Sequence, residues 1–285
     1  MPLSARYMLL SALGFALMAL CVKLVSRYGI PVFEIVAARA LVSLLISYVD
    51  IRRKGLSLWG HNKLLLFARG LVGTLALMAV YYSVTTLPLA ESTVLQYLHP
   101  VFTALLALVL LKEQVHLSTA LCVALSLAGL VLMVQPEVVF GASSLSPLPW
   151  PSVMAGLLGA FGSAVAYVIV RKLSQSEDSS VIIFYFPLVA LPLSLLLLGD
   201  DFVMPNGQAL MLLILVGVFT QIGQVGLTKA MQTETAGKAT AYSYAQVVFA
   251  VLLGWVFFDD VPALTTLAGG GLIIVGALIN VFGRR

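Results

Sequence analysis

Phe202-Val-Met-Pro-Asn-Gly-Gln-Ala-Leu-Met-Leu-Leu-Ile-Leu-Val-Gly-Val-Phe-Thr-Gln-Ile-Gly-Gln-Val-Gly-Leu-Thr228 contains no Asp, Glu, Lys or Arg. A helix rising about 1.5 Å per residue needs about 20 such residues to cross the hydrocarbon core of a bilayer. Six further stretches, 70–90, 92–111, 114–136, 179–199, 239–258 and 261–283, are equally free of charge. Hydrophobic residues make up 61% of the 285 and charged ones 10%, against about 25% charged in a soluble domain. Mean hydropathy is +1.06. Lipid must therefore be the solvent for most of this chain.

The pattern predicts an all-α integral membrane protein with ten transmembrane helices, at about 7–26, 32–49, 64–85, 89–111, 116–135, 151–171, 179–198, 208–229, 238–258 and 263–282. Gly and Pro punctuate the connections at Gly29–Pro31, Pro88, Pro136, Pro205 and Pro262. The longest linker, rich in Pro, Ser and Gly, divides the chain into a first five-helix repeat at 1–137, an extracytoplasmic linker at 138–150 and a second repeat at 151–285. The N-terminus runs straight into apolar sequence without a small-residue cleavage site, which predicts a retained first helix.

Basic residues set the orientation. Arg6, Arg52, Arg53, Lys54, Lys63, Lys112, Arg171, Lys172, Lys229, Lys238, Arg284 and Arg285 fall on one side, and only Lys23 and Arg27 on the other. Arg39 and Arg69 fall within spans. The richer side faces the cytoplasm of an inner membrane, so both termini are expected inside, as an even helix count also requires. The net charge of +4 sits in short loops and forms no face for nucleic acid. Cys21 and Cys122 lie in apolar segments and read as small core residues.

A shift of 147 residues lays the halves over each other. Tyr97-Leu-His-Pro-Val-Phe102 meets Tyr244-Ala-Gln-Val-Val-Phe249, Gly129 meets Gly276, and Ala90 meets Gly237. With five helices per half, the second copy enters the membrane from the opposite side. Such inverted repeats recur in secondary transporters, with the solute site near the midplane. The run Pro100-Val-Phe-Thr-Ala-Leu-Leu-Ala-Leu-Val-Leu-Leu-Lys-Glu113 followed by Ala128-Gly-Leu-Val-Leu-Met133 resembles the repeat signature of the drug/metabolite transporter superfamily, EamA type. So does Ala250-Val-Leu-Leu-Gly-Trp-Val-Phe-Phe-Asp-Asp260 with Gly269-Gly-Gly-Leu-Ile-Ile-Val-Gly276. The second copy departs at Val247, opposite Pro100, and at Asp260, opposite Glu113. The resemblance implies a secondary carrier of small metabolites.

Ser92, Gln96, His99 and Thr103 recur at spacings of four, three and four, which puts them on one helix face. Pro100 lacks an N–H, so the carbonyl of Gln96 loses its helical partner. Gln96 and His99 are therefore candidate substrate-binding residues, with Ser243 and Gln246 over them in the second half and Tyr242 beside these. Tyr81, Ser163, Tyr167, Gln221 and Gln224 complete the candidate set from other spans. These amides, hydroxyls and rings suit a neutral or zwitterionic solute, amino-acid-like or nucleoside-like, such as S-adenosylmethionine. The bland alternative is that each bonds one helix to another. Glu34, Arg39 and Glu91 are candidate coupling or structural charges. Arg69 is read as snorkelling to the headgroups, and Glu113 and Asp260 as markers of helix ends.

No metal-ligand cluster, phosphate loop or nucleotide-binding domain is visible, so no cofactor or ATP drive is expected. Transport by alternating access, as exchange or facilitated diffusion, is the leading reading. Its partners are a small-molecule solute and the lipid bilayer. The oligomeric state stays open, and a monomer is compatible with the sequence. The rivals are an integral-membrane enzyme acting on a lipid substrate and a non-transporting interaction protein.

Overall fold

The computed structural model describes residues 2–87, 89–134, 149–259 and 261–283, with the side chains of 89–91 and Val134 outside that description. Most of the linker expected at 138–150 lies outside it, as do Pro88, Pro136, Asp260, Arg284, Arg285 and the Glu91 carboxylate. The elements are α1 (Leu3–Ser26), α2 (Val32–Arg53), α3 (Lys63–Thr86), α4 (Leu89–Gln96), α5 (His99–Leu110) and α6 (Leu117–Val134). The second half adds α7 (Trp150–Leu173), α8 (Ser179–Leu198), α9 (Gly207–Thr233), α10 (Ala236–Ala241), a 3-10 turn (Tyr242–Tyr244), α11 (Ala245–Phe258) and α12 (Leu264–Phe282). In hydrocarbon every backbone polar group must be paired within the protein, and helices do this residue by residue. Among the described residues nine helical spans are long and apolar enough to cross, and Leu117–Met133 is a shorter tenth. Exposed Leu, Val, Phe and Trp side chains ring the bundle, as a lipid-facing surface requires.

The repeat is visible in the backbone. Leu3–Ser26 recurs as Trp150–Leu173, and Leu117 opens α6 as Leu264 opens α12. Lys112 and Asp259, equivalent under the shift, are the only non-glycine residues with positive φ among those described, at 56° and 55°. Each turns the chain where a broken span ends. The packing repeats too: α1 on α9 mirrors α7 on α3, and α2 on α9 mirrors α8 on α3. The pairs α2–α8 and α6–α12 each join an element to its own equivalent. Gly129 abuts the backbone of Gly269, and the equivalent contact sets Gly276 against the backbone of Cys122. Small residues let these helices approach closely enough for dispersion to hold them, in a solvent that offers no hydrophobic drive between helices.

Two of the ten spans differ from the continuous helices expected. The fourth breaks into α4 and α5 at a turn over Tyr97 and Leu98, and the ninth into α10 and α11 at the 3-10 turn. Pro100 explains the first break, because it cannot continue the hydrogen-bond ladder. The second has no proline; Val247 stands there instead.

The symmetry fails most clearly where the two broken spans meet. The segment α10 packs on α5, with the backbone of Gly237 close against Ala104. The equivalent pair, α4 with α11, makes no comparable contact among the described residues. The two broken spans thus meet at the basic face of the bundle and part toward the other. At the basic face Arg171 Nε lies 2.7 Å from Glu113 Oε1, and the Ala236 N–H donates to the other Glu113 oxygen at 2.7 Å. Lys54 joins Asp50 at 2.9 Å and Asp178 at 3.2 Å. Glu177 accepts from the backbone N–H groups of His61 and Asn62. Glu113 is therefore a tie between helices, not simply the mark of a helix end.

Candidate functional site

The two span breaks face each other inside the bundle. Tyr97 and Tyr244, equivalent under the 147 shift, stack with ring centroids 5.7 Å apart, and the Tyr244 hydroxyl donates to the Tyr97 carbonyl at 2.8 Å. A residue that touches its own equivalent sits on the pseudo-two-fold axis. Beside this pair lies a cavity. Its walls come from α1, α3, α7, α8, α9 and both breaks, with Arg39 reaching in from α2.

His99 anchors one wall. Its Nδ1 is 3.0 Å from the Gln96 carbonyl, which Pro100 has left without a backbone donor. A carbonyl only accepts, so Nδ1 carries the proton and Nε2 of the neutral ring is an acceptor. That acceptor lies 3.4 Å from the Ser243 hydroxyl across the axis. Tyr167 meets the ring edge-on, with centroids 5.3 Å apart. Gln96 and Gln246 also line the cavity.

Seven of the ten sequence candidates line the cavity: Gln96, His99, Ser163, Tyr167, Gln224, Ser243 and Gln246. Three do not. Tyr81 follows Val80, which does line it, and one residue along a helix turns a side chain by about 100°. Gln221 is consumed by α2: it accepts from Ser43 Oγ and donates to Ser47 Oγ at 2.9 Å. Tyr242 is 1% exposed and packs in the apolar cluster with Leu227, Ala230 and Met231. Of the charged candidates, Glu34 is buried away from the cavity and accepts from the Val203 N–H at 3.0 Å. Arg39 lines the cavity, and the Glu91 side chain is outside the described residues.

Arg69 is the residue the snorkelling expectation missed. Its side chain turns into the bundle, where it is 3% exposed and lines the cavity. The reason is local. Arg69, Gly73, Leu77 and Val80 share the cavity-facing side of α3, and a Cβ at Gly73 would strike the guanidinium. An arginine followed four residues later by glycine within a span was the available signal. Arg69 and Arg39 both lie over the ring of Phe186, with guanidinium carbons 4.9 and 5.8 Å from its centroid. Cations over an aromatic face are attracted by its quadrupole.

Comparisons with known proteins come to the same architecture. The model of the EamA-like transporter family matches residues 3–135 and again 150–282. The chain is 32% identical over 270 residues to the pseudopaline exporter CntI of Pseudomonas aeruginosa, spanning 94% of this chain and 92% of that one. It is 33% identical over 279 residues to solute carrier family 35 member G1 of Mus musculus, spanning 94% and 75%. One solved crystal structure superposes with a TM-score of 0.84 at 20% identity, over 97% of this chain and 95% of the other, which shows a shared fold.

Proposed function

The chain belongs to the EamA-like transporter family, and on that premise we propose that it is a secondary transporter of small organic metabolites in a cytoplasmic membrane. The observation that carries the reading is a polar cavity on the axis relating two inverted halves. A site on such an axis can be reached from either side by one motion and its mirror. Residues 1–137 and 151–285 are the two halves, and 138–150 joins them outside. The solute contacts are Gln96, His99, Ser163, Tyr167, Gln224, Ser243 and Gln246. Transport runs as exchange or facilitated diffusion, because the reading needs no nucleotide and His99 is already committed to the Gln96 carbonyl.

The contact of α10 with α5 closes the basic, cytoplasmic end, so this conformation faces outward. The partner state would exchange that contact for one between α4 and α11. The Glu113–Arg171 pair then acts as a latch on the outward-facing state. In a variant lacking Cys21 and Cys122, a cysteine at Ala104, which is buried at 8% exposure, should resist maleimide added at the cytoplasmic side of inverted vesicles. Adding Glu113→Gln should speed that labelling several-fold. An unchanged rate would remove the latch.

Both termini lie in the cytoplasm on this reading, as the twelve-to-two split of basic residues requires. Single cysteines at Ser57 and at Met204, the latter 82% exposed, test it in the same background. An impermeant thiol reagent on intact cells should reach position 204 and not 57. The opposite pattern would invert the topology.

The function itself is tested by reconstitution. Vesicles containing the protein should pass a labelled solute, whereas an integral-membrane enzyme would convert a lipid into a product without solute flux.

A further inference from the structure

Two cations in the cavity have no anion among the described residues. Arg39 and Arg69 are 6% and 3% exposed, and among the described residues no carboxylate pairs with either. The Nε and Nη1 atoms of Arg69 have no hydrogen-bond partner, and its Nη2 has only Gln224 Oε1 at 3.4 Å. The hydrogen bond of Arg39 is to the thioether sulfur of Met18 at 3.8 Å, a weak acceptor. Arg171 shows how this chain treats an arginine that only holds helices together. That guanidinium donates to Glu113 at 2.7 Å and to the Met231 carbonyl at 2.6 Å.

An unpaired charge at membrane depth is expensive, and one retained there marks a path or a site. Two of them over one ring raise that cost, because like charges repel most where the dielectric is low. A bound anion removes both penalties. The guanidinium fork presents parallel N–H donors that match the two oxygens of a carboxylate. Among the described residues no acidic side chain lines the cavity, so an ammonium group would meet no opposite charge there.

Resting on the transporter reading, we infer that the solute is a small organic anion whose carboxylate seats between Arg39 and Arg69. Phe186 underlies the charged end. Tyr167, His99 and Ser243 line the same cavity and face the body of the solute. Within the amino-acid-like class this favours organic acids over zwitterions, and it disfavours solutes whose recognised group is cationic.

Matched ligands test it without knowledge of the natural solute. Phenylacetate, indole-3-acetate and succinate are each compared with their carboxamides and with phenethylamine, tryptamine and 1,4-diaminobutane. Binding to the purified full chain is read as the concentration dependence of its melting temperature, since a ligand of the folded state raises it by mass action. At least one acid should bind at least tenfold more tightly than its amide and its amine. Arg39→Gln and Arg69→Gln should each bring that ratio close to one by weakening the acid more than the amide. Should Arg69→Gln fail to fold, Arg39→Gln and the wild-type ratios still decide. If no acid exceeds its amide, if the amines bind best, or if the double variant keeps the preference, the inference is wrong. Flux of an amide or amine without any acid preference would refute it and leave the transporter standing. An acid preference in a protein that passes no solute would refute the transporter instead.

Discussion

Replacing Gln96 with Leu should abolish solute flux and leave the melting temperature of the protein close to that of the wild type. Gln96 lines the cavity, and among the described residues no hydrogen bond ties its amide to another helix, so its loss removes a solute contact alone. His99→Leu should also abolish flux, but at a structural cost. It strips the Gln96 carbonyl of the donor that replaced the missing proline N–H, and it unpairs Ser243. A buried acceptor left without a partner costs about 1–3 kcal/mol. His99→Asn, whose side-chain N–H group can approach the same carbonyl, should recover much of the stability and little of the flux. If both Leu variants transport at the wild-type rate, these polar groups only hold helices together.

The second large effect is on folding. Gly226→Val should leave little monodisperse protein, because a Cβ at this position would lie 2.6 Å from the Tyr7 carbonyl oxygen and 2.8 Å from the Ser11 nitrogen. Both are backbone atoms of α1, and the adjacent Ser11 hydroxyl is bonded to the Gly223 carbonyl at 2.7 Å, so the helix cannot yield locally. Overpacking of this kind costs about 3 kcal/mol or more where nothing can shift. Gly271→Val is the control, with open space around its Cβ, and it should express and melt as the wild type does. Equal behaviour of the two variants would show that the α1–α9 crossing is looser than described.

The ten spans and their inversion were legible because charge-free length and shift-related residues depend only on the order of residues along the chain. The stacking of Tyr97 on Tyr244 turns the 147-residue shift into a physical axis. Pro100 announced the break in the fourth span, yet nothing in Tyr242-Ser-Tyr244 announced the one in the ninth. That turn is set by what packs on it. The candidate residues were harder to assign, because a helix face is known only when its neighbours are. Gln221 had the same polarity as Gln224, three residues on, and differs only in having Ser43 and Ser47 opposite. Arg69 had the depth of a snorkelling side chain and the space beside Gly73 to turn inward instead. Polarity in a span identifies a side chain that needs a partner; the fold decides whether that partner is another helix or a solute.

Counterflow in proteoliposomes tests the central claim most directly. Vesicles are loaded with the unlabelled acid that raises the melting temperature most, and then given a trace of the labelled acid outside. The account predicts that internal solute accelerates uptake of label above its equilibrium level for a time, that Gln96→Leu abolishes this, and that no ATP is needed. Label that enters no faster than into protein-free vesicles, with well-folded protein in the membrane, would contradict it.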